Sequence, residues 1–343
     1  MNKLKLGIVG CGFWSHYQTA AWKELSDQVE IVALCDRQLS KAKAQAEKFS
    51  INRIYNDAGE LLKNEQIDFV DIITDVDSHV PLVKLFADHH KQIICQKPMA
   101  PSFAQALELV EYCDRKGVDF YIHENFRWQK PIRVLRKMLK EGLIGTPFKA
   151  NIKFCSSFPV FDNQPFLAEL DQFILTDVGT HILDVARFLF GEVDTLFCQT
   201  HRINPKINGE DVANVFMTHG TGVHCYAELS YASILEDEAF PQTYVLVEGE
   251  KGSLHLKKDY QIVYTSKESC EVIDASPPVF AWSLADYALI HTSIFECNRN
   301  ILSDLCGEGR AETTAEDNLK TLKLVFEAYR SAKDNLIIHP LNS

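Results

Sequence analysis

Apolar residues in the first third of the chain follow two spacings in turn. Five short apolar runs, rich in β-branched or aromatic residues, predict strands at residues 4–9, 29–35, 69–74, 92–95 and 118–122. Four stretches with apolar residues at helical spacing predict helices between them, at residues 16–25, 39–49, 78–90 and 103–116. Ser102 and Gly117 are suited to begin and end the last of these helices. Strands that alternate with helices predict βαβ units, and hence an α/β fold with a doubly wound parallel sheet.

Strands predominate after Lys130. One helix at residues 132–141 precedes six predicted strands, at residues 149–155, 195–202, 214–218, 223–231, 243–248 and 253–256. Between Val223 and Tyr231 apolar and polar residues alternate, which is typical of an antiparallel sheet with one covered face. Two helices at residues 284–305 and 315–333 close the chain, and the second begins with a capping-box-like pair, Thr314 and Asp317. This half is predicted to be an α+β domain with a large open, mostly antiparallel sheet.

Composition and charge narrow the classes of partner. The 343 residues suit two domains of roughly 150 residues each. A net charge of −12 argues against binding to nucleic acid or to an anionic membrane surface. No apolar run approaches the roughly 18 residues of a membrane span. The ten cysteines are scattered without a C-x-x-C pair, which favours free thiols in a reducing cytoplasm.

A glycine-rich turn follows the first predicted strand and opens the first helix. Its sequence, Gly10-Cys11-Gly12-Phe13-Trp14-Ser15, is G-x-G-x-x-G with serine in the third position. The first glycine permits the tight turn, the second lets the backbone approach a pyrophosphate, and the helix N-terminus offers N–H groups to that anion. The turn predicts a dinucleotide site, in which Phe13 and Trp14 either line the cofactor or only pack.

An acidic residue follows the second strand, where the ribose of a dinucleotide is read. Asp36 is suited to accept hydrogen bonds from the ribose hydroxyls and to repel a 2′-phosphate, so NAD is favoured over NADP. The neighbouring Arg37 could stack on adenine or pair with a 2′-phosphate, which leaves NADP open.

We expect residues 1–125 to form the dinucleotide-binding Rossmann domain. Residues 126–343 are expected to form the substrate-binding and oligomerisation domain, with closing helices that could pack back toward the first domain.

Two further groups of residues could carry chemistry. Lys97 follows the strand at 92–95, and strand ends in such sheets face the ligand, so it is either a functional cation or a surface charge. Asp177, His181 and Asp184 are spaced by four and three residues and so share one face of a helix. That face is either solvated or carries a histidine base oriented by a carboxylate, with Asp177 the better candidate to orient it and Asp184 a structural one. The apolar stripe on another face of that helix predicts burial of Ile174, Val178, Ile182, Val185 and Leu189.

Taken in order, these motifs resemble the glucose–fructose oxidoreductase / inositol dehydrogenase (Gfo/Idh/MocA) family over nearly the whole chain. The resemblance rests on Gly10 and Gly12, on Thr74, Ser78 and His79, on Lys97-Pro98, on Glu124-Asn125-Phe126-Arg127-Trp128, and on Asp177, Gly179, His181 and Asp184. It implies that Lys97, Asp177 and His181 are catalytic and that Thr74, His79 and Asn125 lie near the cofactor. This chain departs from the family pattern at Gln96, where glutamate is usual, at Asp75-Val76, and at residues 171–176, where a glycine-rich stretch is usual.

The resemblance implies hydride transfer between NAD and a secondary alcohol or ketone of a sugar or polyol. His181 would take the hydroxyl proton, Lys97 would steady the alkoxide, and Asp177 would fix the imidazole. Polar residues are weaker candidates for a substrate shell beside Lys97, Asp177 and His181; they are Arg127, Asn163, Gln164, Asp171 and Gln172. No metal site is expected, since strand alternation sends His224 and Cys225 to opposite faces.

Two other activities stay open at this point. One is a non-catalytic protein that senses NAD or a sugar, and the other is a glycosidase that uses bound NAD transiently. A homo-dimer or homo-tetramer formed through the C-terminal sheet is expected, because Tyr226 and Glu228 lie on its polar–aromatic face.

Overall fold

The computed structural model describes residues 3–236 and 240–341. The chain forms two compact units, one of Met1–Asn125 with Ser293–Lys320 and the other of Phe126–Thr292 with Thr321–Ser343. Two long helices cross the division, Ala288–Leu305 and Ala315–Asp334. No helix among the described residues is both long and apolar enough to cross a membrane.

The first unit contains a six-stranded parallel sheet with helices between its strands. The strands are β1 (Leu4–Val9), β2 (Val29–Cys35), β3 (Arg53–Tyr55), β4 (Phe69–Ile72), β5 (Gln92–Gln96) and β6 (Phe120–His123). The main helices are α1 (Phe13–Glu24), α2 (Leu39–Phe49), α3 (Ala58–Asn64), α4 (His79–Asp88) and α5 (Phe103–Lys116). The strand order 3-2-1-4-5-6 reverses direction between β1 and β4, which is the doubly wound arrangement predicted from the sequence.

Local sequence explains how α5 begins and ends. The Ser102 hydroxyl accepts the Gln105 N–H at 3.3 Å, and Gly117 ends the helix in the left-handed region with φ of 64°. Both caps were predicted from residue type. Every residue of β4 and β6 is buried, as expected for strands covered on both faces.

The second unit is built on an eight-stranded sheet. Its elements are α6 (Lys130–Lys140), β7 (Pro147–Cys155), α7 (Val160–Asn163), α8 (Thr180–Phe190), β8 (Val193–His201), β9 (Val212–His219), β10 (His224–Ser230), β11 (Tyr244–Gly249), β12 (Gly252–Leu256), β13 (Gln261–Ser266) and β14 (Cys270–Asp274). The strand order is 14-13-12-11-7-10-9-8, and neighbours pair antiparallel except β7 with β10. The sheet is therefore mixed but mostly antiparallel, as predicted.

One face of this sheet is covered and the other is not. On β10, Cys225, Ala227 and Leu229 are at most 1% exposed, whereas Tyr226 is 47% exposed. The alternation read from the sequence is thus confirmed.

Two helices follow the last strand, α9 (Ala288–Leu305) and α10 (Ala315–Asp334). The Thr314 hydroxyl caps α10 by accepting the Asp317 N–H at 3.3 Å.

Candidate active site

The glycine turn of the first unit has the shape that a dinucleotide requires. Gly10 has φ of 101°, and a Cβ there would lie 2.2 Å from the Ile73 carbonyl oxygen, so only glycine fits. No atom of the described residues lies within 4 Å of a Cβ built on Gly12, which begins α1 without a side-chain cap. The first N–H groups of α1 are therefore available to a pyrophosphate.

Ser15 fills the third position of the motif without loss of packing. Its side chain is fully buried, and its hydroxyl lies 2.8 Å from the Gly12 carbonyl oxygen and 2.9 Å from Oε1 of Gln45 on α2. Phe13 is 59% exposed at the start of α1, and Trp14 keeps its buried indole N–H without a hydrogen-bond partner.

Asp36 is fixed beside that turn by backbone amides. One carboxylate oxygen accepts the Cys11 N–H at 2.8 Å and the other accepts the Gln38 N–H at 2.7 Å. Arg37 is exposed and forms an ion pair with Asp75 at 3.1 Å. The acidic side chain and the glycine turn thus lie together, as a dinucleotide site needs, and the residues of this unit fit NAD.

A buried histidine, His79, lies between the loops that follow β4 and β5. The His79 ring nitrogens lie 2.9 Å from the Pro98 carbonyl oxygen and 3.1 Å from the Thr74 carbonyl oxygen, and burial lowers the pKa of the imidazole. The Thr74 hydroxyl accepts the Ser78 hydroxyl proton at 2.7 Å. His79 therefore lies between the Thr74 backbone and the Lys97-Pro98 loop, and the neutral ring donates to one of the two carbonyl oxygens. A direct contact between His79 and the cofactor stays a prediction.

Lys97 lies directly after β5, and its peptide bond to Pro98 is cis. The residue before it, Gln96, donates its amide to Oε1 of Gln18 at 2.5 Å and to Nδ1 of His123 at 3.2 Å. Asn125, which follows β6, is buried and donates to the Ser293 hydroxyl at 2.7 Å. Lys97 thus follows a strand whose last residue makes buried hydrogen bonds.

The second unit presents Asp177 and His181 on one continuous helical segment. Residues Leu175–Gly179 form a turn of π-helix that runs directly into α8. Single π turns occur frequently at functional sites. Asp177 lies in that turn, and His181 lies in the first turn of α8.

Aromatic side chains hold both residues. The Tyr231 hydroxyl lies 3.5 Å from Oδ2 of Asp177, and burial together with that carboxylate raises the pKa of the phenol well above its ordinary value. The Phe126 ring stacks on the His181 imidazole with centroids 4.0 Å apart and planes 7° from parallel. The sequence singled out neither of these contacts, although Phe126 lies within the Glu124–Trp128 stretch.

Asp184 and Arg127 form a buried ion pair in this unit. The Arg127 guanidinium donates to both oxygens of Asp184, at 2.7 and 2.5 Å, and the Thr321 hydroxyl donates to the same carboxylate at 3.0 Å. Asp184 is fully buried and Arg127 is 5% exposed. The pairing of Asp184 with Arg127 suits the structural role expected for Asp184, and a contact of Arg127 with a substrate stays a prediction. The apolar stripe from Ile174 to Leu189 is buried as predicted.

The remaining substrate candidates lie on the loops before the π turn. Asn163 ends α7, and Asp171 and Gln172 follow it on the exposed loop, with Gln164 half-buried. Their role in substrate binding stays a prediction. Within the described part of the chain, no group of three His, Cys, Asp or Glu side chains is placed to hold a metal ion.

Comparison with known proteins finds one family for stretches in both units. The sequence model of the oxidoreductase family with an NAD-binding Rossmann fold (GFO_IDH_MocA) matches residues 4–124, and the model of the GFO/IDH/MocA C-terminal domain matches residues 132–255. The chain belongs to the GFO/IDH/MocA family. This family membership makes it an oxidoreductase with an NAD-binding domain, and the resemblance read from the motifs is confirmed.

Individual relatives of this GFO/IDH/MocA protein cover almost all of it. A D-apiose dehydrogenase of Paraburkholderia graminis is 43% identical over 97% of this chain and 89% of its own length. A D-apiose dehydrogenase of Rhizobium rhizogenes is 40% identical over 97% of this chain and 96% of its own. An oxidoreductase from Agrobacterium radiobacter, crystallised with NAD+, L-tartaric acid and magnesium, has a TM-score of 0.96 at 39% identity and covers 99% of both chains.

Proposed function

We propose that this chain is an NAD-dependent dehydrogenase that oxidises a secondary alcohol of a sugar or polyol, and that D-apiose is its substrate. The observation that carries the proposal is identity of 43% and 40% to two D-apiose dehydrogenases, each over 97% of this chain. The glycine turn and the Asp36 carboxylate support NAD as the cofactor.

We further propose that Lys97, Asp177 and His181 act on one substrate. His181 takes the hydroxyl proton as the C–H bond gives up its hydride and the C=O bond forms. Bound NAD+ supplies the hydride acceptor. Lys97 donates a hydrogen bond to the developing alkoxide, which stabilises the transition state electrostatically. Asp177 orients the imidazole and stabilises its protonated form.

Two substitutions test these roles. Lys97→Met and His181→Ala are each expected to lower kcat with D-apiose by about 10²- to 10⁴-fold, the usual contribution of an acid–base group. Steady-state formation of reduced cofactor measures the effect, with NAD+ and NADP+ compared in parallel. Loss of less than about tenfold in both variants would refute the assignment.

Matched variants control for loss of structure. Lys91 directly precedes β5, whereas Lys97 directly follows it, so Lys91→Met is the control for Lys97→Met. His219→Ala removes a buried histidine whose Nδ1 lies 2.8 Å from the Gly191 carbonyl oxygen. Both controls should keep kcat within about threefold of wild type, because neither changes a proposed reacting group. Assays with other sugars and polyols test the substrate separately from the residues.

Assembly and compartment complete the proposal. On the uncovered face of the sheet, the Phe216 and Tyr226 rings lie 4.8 Å apart, and we propose that this aromatic face joins copies of the chain into a dimer or tetramer. Light scattering of wild type and Tyr226→Glu measures the mass of the assembly. All ten cysteines lie among the described residues and none of them forms a disulfide, which supports a reducing compartment, the cytoplasm.

A further inference from the structure

The helical segment that carries Asp177 and His181 begins with four backbone N–H groups that no helical carbonyl can satisfy. The first hydrogen bond of the segment joins the Asp177 N–H to the Phe173 carbonyl oxygen at 2.8 Å. The N–H groups of residues 173–176 precede it. Such groups need partners from outside the helix.

Glu210, two residues before β9, supplies three of these partners. Its carboxylate accepts the Phe173 N–H at 3.3 Å and the Leu175 N–H at 3.2 Å, and its carbonyl oxygen accepts the Ile174 N–H at 3.2 Å. Glu210 is only 9% exposed. A carboxylate at this end of a helix is also favoured by the helix dipole.

Tyr329, on α10, supplies the fourth partner. Its hydroxyl oxygen accepts the Thr176 N–H at 3.2 Å, and the hydroxyl donates to Oε1 of Glu210 at 2.8 Å. Burial and the Glu210 charge raise the pKa of the phenol, so it keeps its proton. Glu210 and Tyr329 thus satisfy all four N–H groups, from parts of the chain far away in sequence.

These contacts fix a segment whose winding is unusual. The turn at Leu175–Gly179 is a π-helix, whose hydrogen bonds span five residues instead of four. The residue at which the π turn begins therefore determines where Asp177 lies within the turn and where His181 lies after the turn. Errors of about 1 Å in such positions can cost about 10²-fold in rate.

We propose that Glu210 and Tyr329 are positioning residues that hold Asp177 and His181 in place for the reaction. This inference rests on the proposed function of Asp177 and His181. Neither Glu210 nor Tyr329 needs to touch the substrate, because both act through the backbone of residues 173–176.

Asp211 provides a matched control. It is also buried, and its carboxylate accepts the N–H groups of Ile203 at 2.7 Å and Asn204 at 2.9 Å. Asp211→Ala removes the same kind of carboxylate–amide contact from the adjacent position but leaves residues 173–176 untouched. It measures what a purely structural loss does.

The expected result is a fall in kcat without a matching change in cofactor binding. Glu210→Ala should lower kcat with D-apiose by about 10²-fold and leave the KM for NAD+ within about twofold. Glu210→Gln should recover most of the loss, because the amide oxygen can still accept the Leu175 N–H and the Tyr329 hydroxyl proton. Asp211→Ala should keep kcat within about threefold of wild type at an equal fall in Tm. Tyr329→Phe should lower kcat by about tenfold, since it removes the hydrogen bonds of the hydroxyl to the Thr176 N–H and to Glu210 but leaves the Glu210 contacts with residues 173–175.

A double-mutant cycle separates this inference from the proposed function. If Glu210 acts through the catalytic pair, Glu210→Ala should cause no further loss of kcat in a chain that already carries His181→Ala. An equal loss in both backgrounds, or a loss no greater than that of Asp211→Ala, overturns the positioning role. Wild-type kcat in His181→Ala alone overturns the proposed catalytic role instead. Should Glu210→Ala fail to fold, Tyr329→Phe is put through the same cycle and decides in the same way.

Discussion

At the scale of single residues, the contacts of Gln96 require a hydrogen-bond donor at position 96. Gln96 uses its N–H₂ group as donor to Gln18 and to His123, so Nδ1 of His123 must accept. The Nε2–H of His123 then donates to Oδ1 of Asn298 at 3.0 Å. A glutamate at position 96 would place a carboxylate, which can only accept, against Oε1 of Gln18 and Nδ1 of His123, which also accept.

This arrangement predicts that Gln96→Glu destabilises the first unit. The loss should be about 1–3 kcal/mol, the usual cost of unsatisfied buried polar groups. Urea unfolding measures it. Gln92→Glu is the matched control, because Gln92 begins the same strand but uses its oxygen to accept the Asp119 N–H at 2.5 Å. Glutamate keeps that acceptor, and equal destabilisation by both variants would contradict the assignment of donors.

At the scale of elements, β4 carries a buried acid that makes stability depend on pH. Asp71 is fully buried and accepts hydrogen bonds from Nε2 of Gln18, at 2.8 and 2.7 Å, and from Nε1 of Trp22 at 2.8 Å. Burial raises its pKa from 3.8 to about 7 in spite of these contacts. Because the folded state then holds its proton more tightly than the unfolded state, this group favours folding at low pH, and the advantage is lost as pH rises through about 7.

Asp71→Asn is therefore expected to remove part of the pH dependence of stability. Between about pH 5 and about pH 8, the wild-type aspartate should cost about 2.5 kcal/mol of unfolding free energy. Urea unfolding at the two pH values should show a smaller decrease in Asp71→Asn than in wild type. Asp68→Asn, at an exposed residue just before β4, should leave the decrease unchanged. A decrease of the same size in Asp71→Asn as in wild type would contradict the raised pKa.

Most elements could be predicted from the hydrophobic pattern because they are long and strongly periodic. The bounds of β1, β2, α2 and α5 agree with the prediction at both ends. The pattern missed β3, which has three residues, and α3, which has seven, because so few positions give no clear period. It also missed β13 and β14, since Val272 and its neighbours on the outer strand are exposed.

The candidate site could be predicted in part. Gly10 and Asp36 could be predicted as cofactor-binding residues because a dinucleotide requires those residue types at that spacing. The pairing of Arg127 with Asp184 could not be predicted, because helical spacing shows which positions share a face but not which partners a distant segment supplies. The π turn around Asp177 and the hydrogen bonds from residues 173–175 to Glu210 could not be predicted for the same reason.

At the scale of the whole molecule, the residues with proposed roles are divided between two units. The first unit carries the glycine turn, Asp36 and Lys97, and the second carries Asp177 and His181. Substitutions in the glycine turn should therefore weaken cofactor binding, whereas His181→Ala should lower kcat while NAD+ still binds. The central claim is that the hydride passes directly from a sugar carbon to the cofactor.

Isotope transfer tests that claim most directly. The chain is incubated with NAD+ and with D-apiose that carries deuterium on its carbon atoms, and the reduced cofactor is analysed by mass spectrometry. Direct transfer predicts that each molecule of reduced cofactor gains one deuterium, at the nicotinamide ring. Reduced cofactor without deuterium, or sugar consumed with no reduced cofactor formed, would contradict the account.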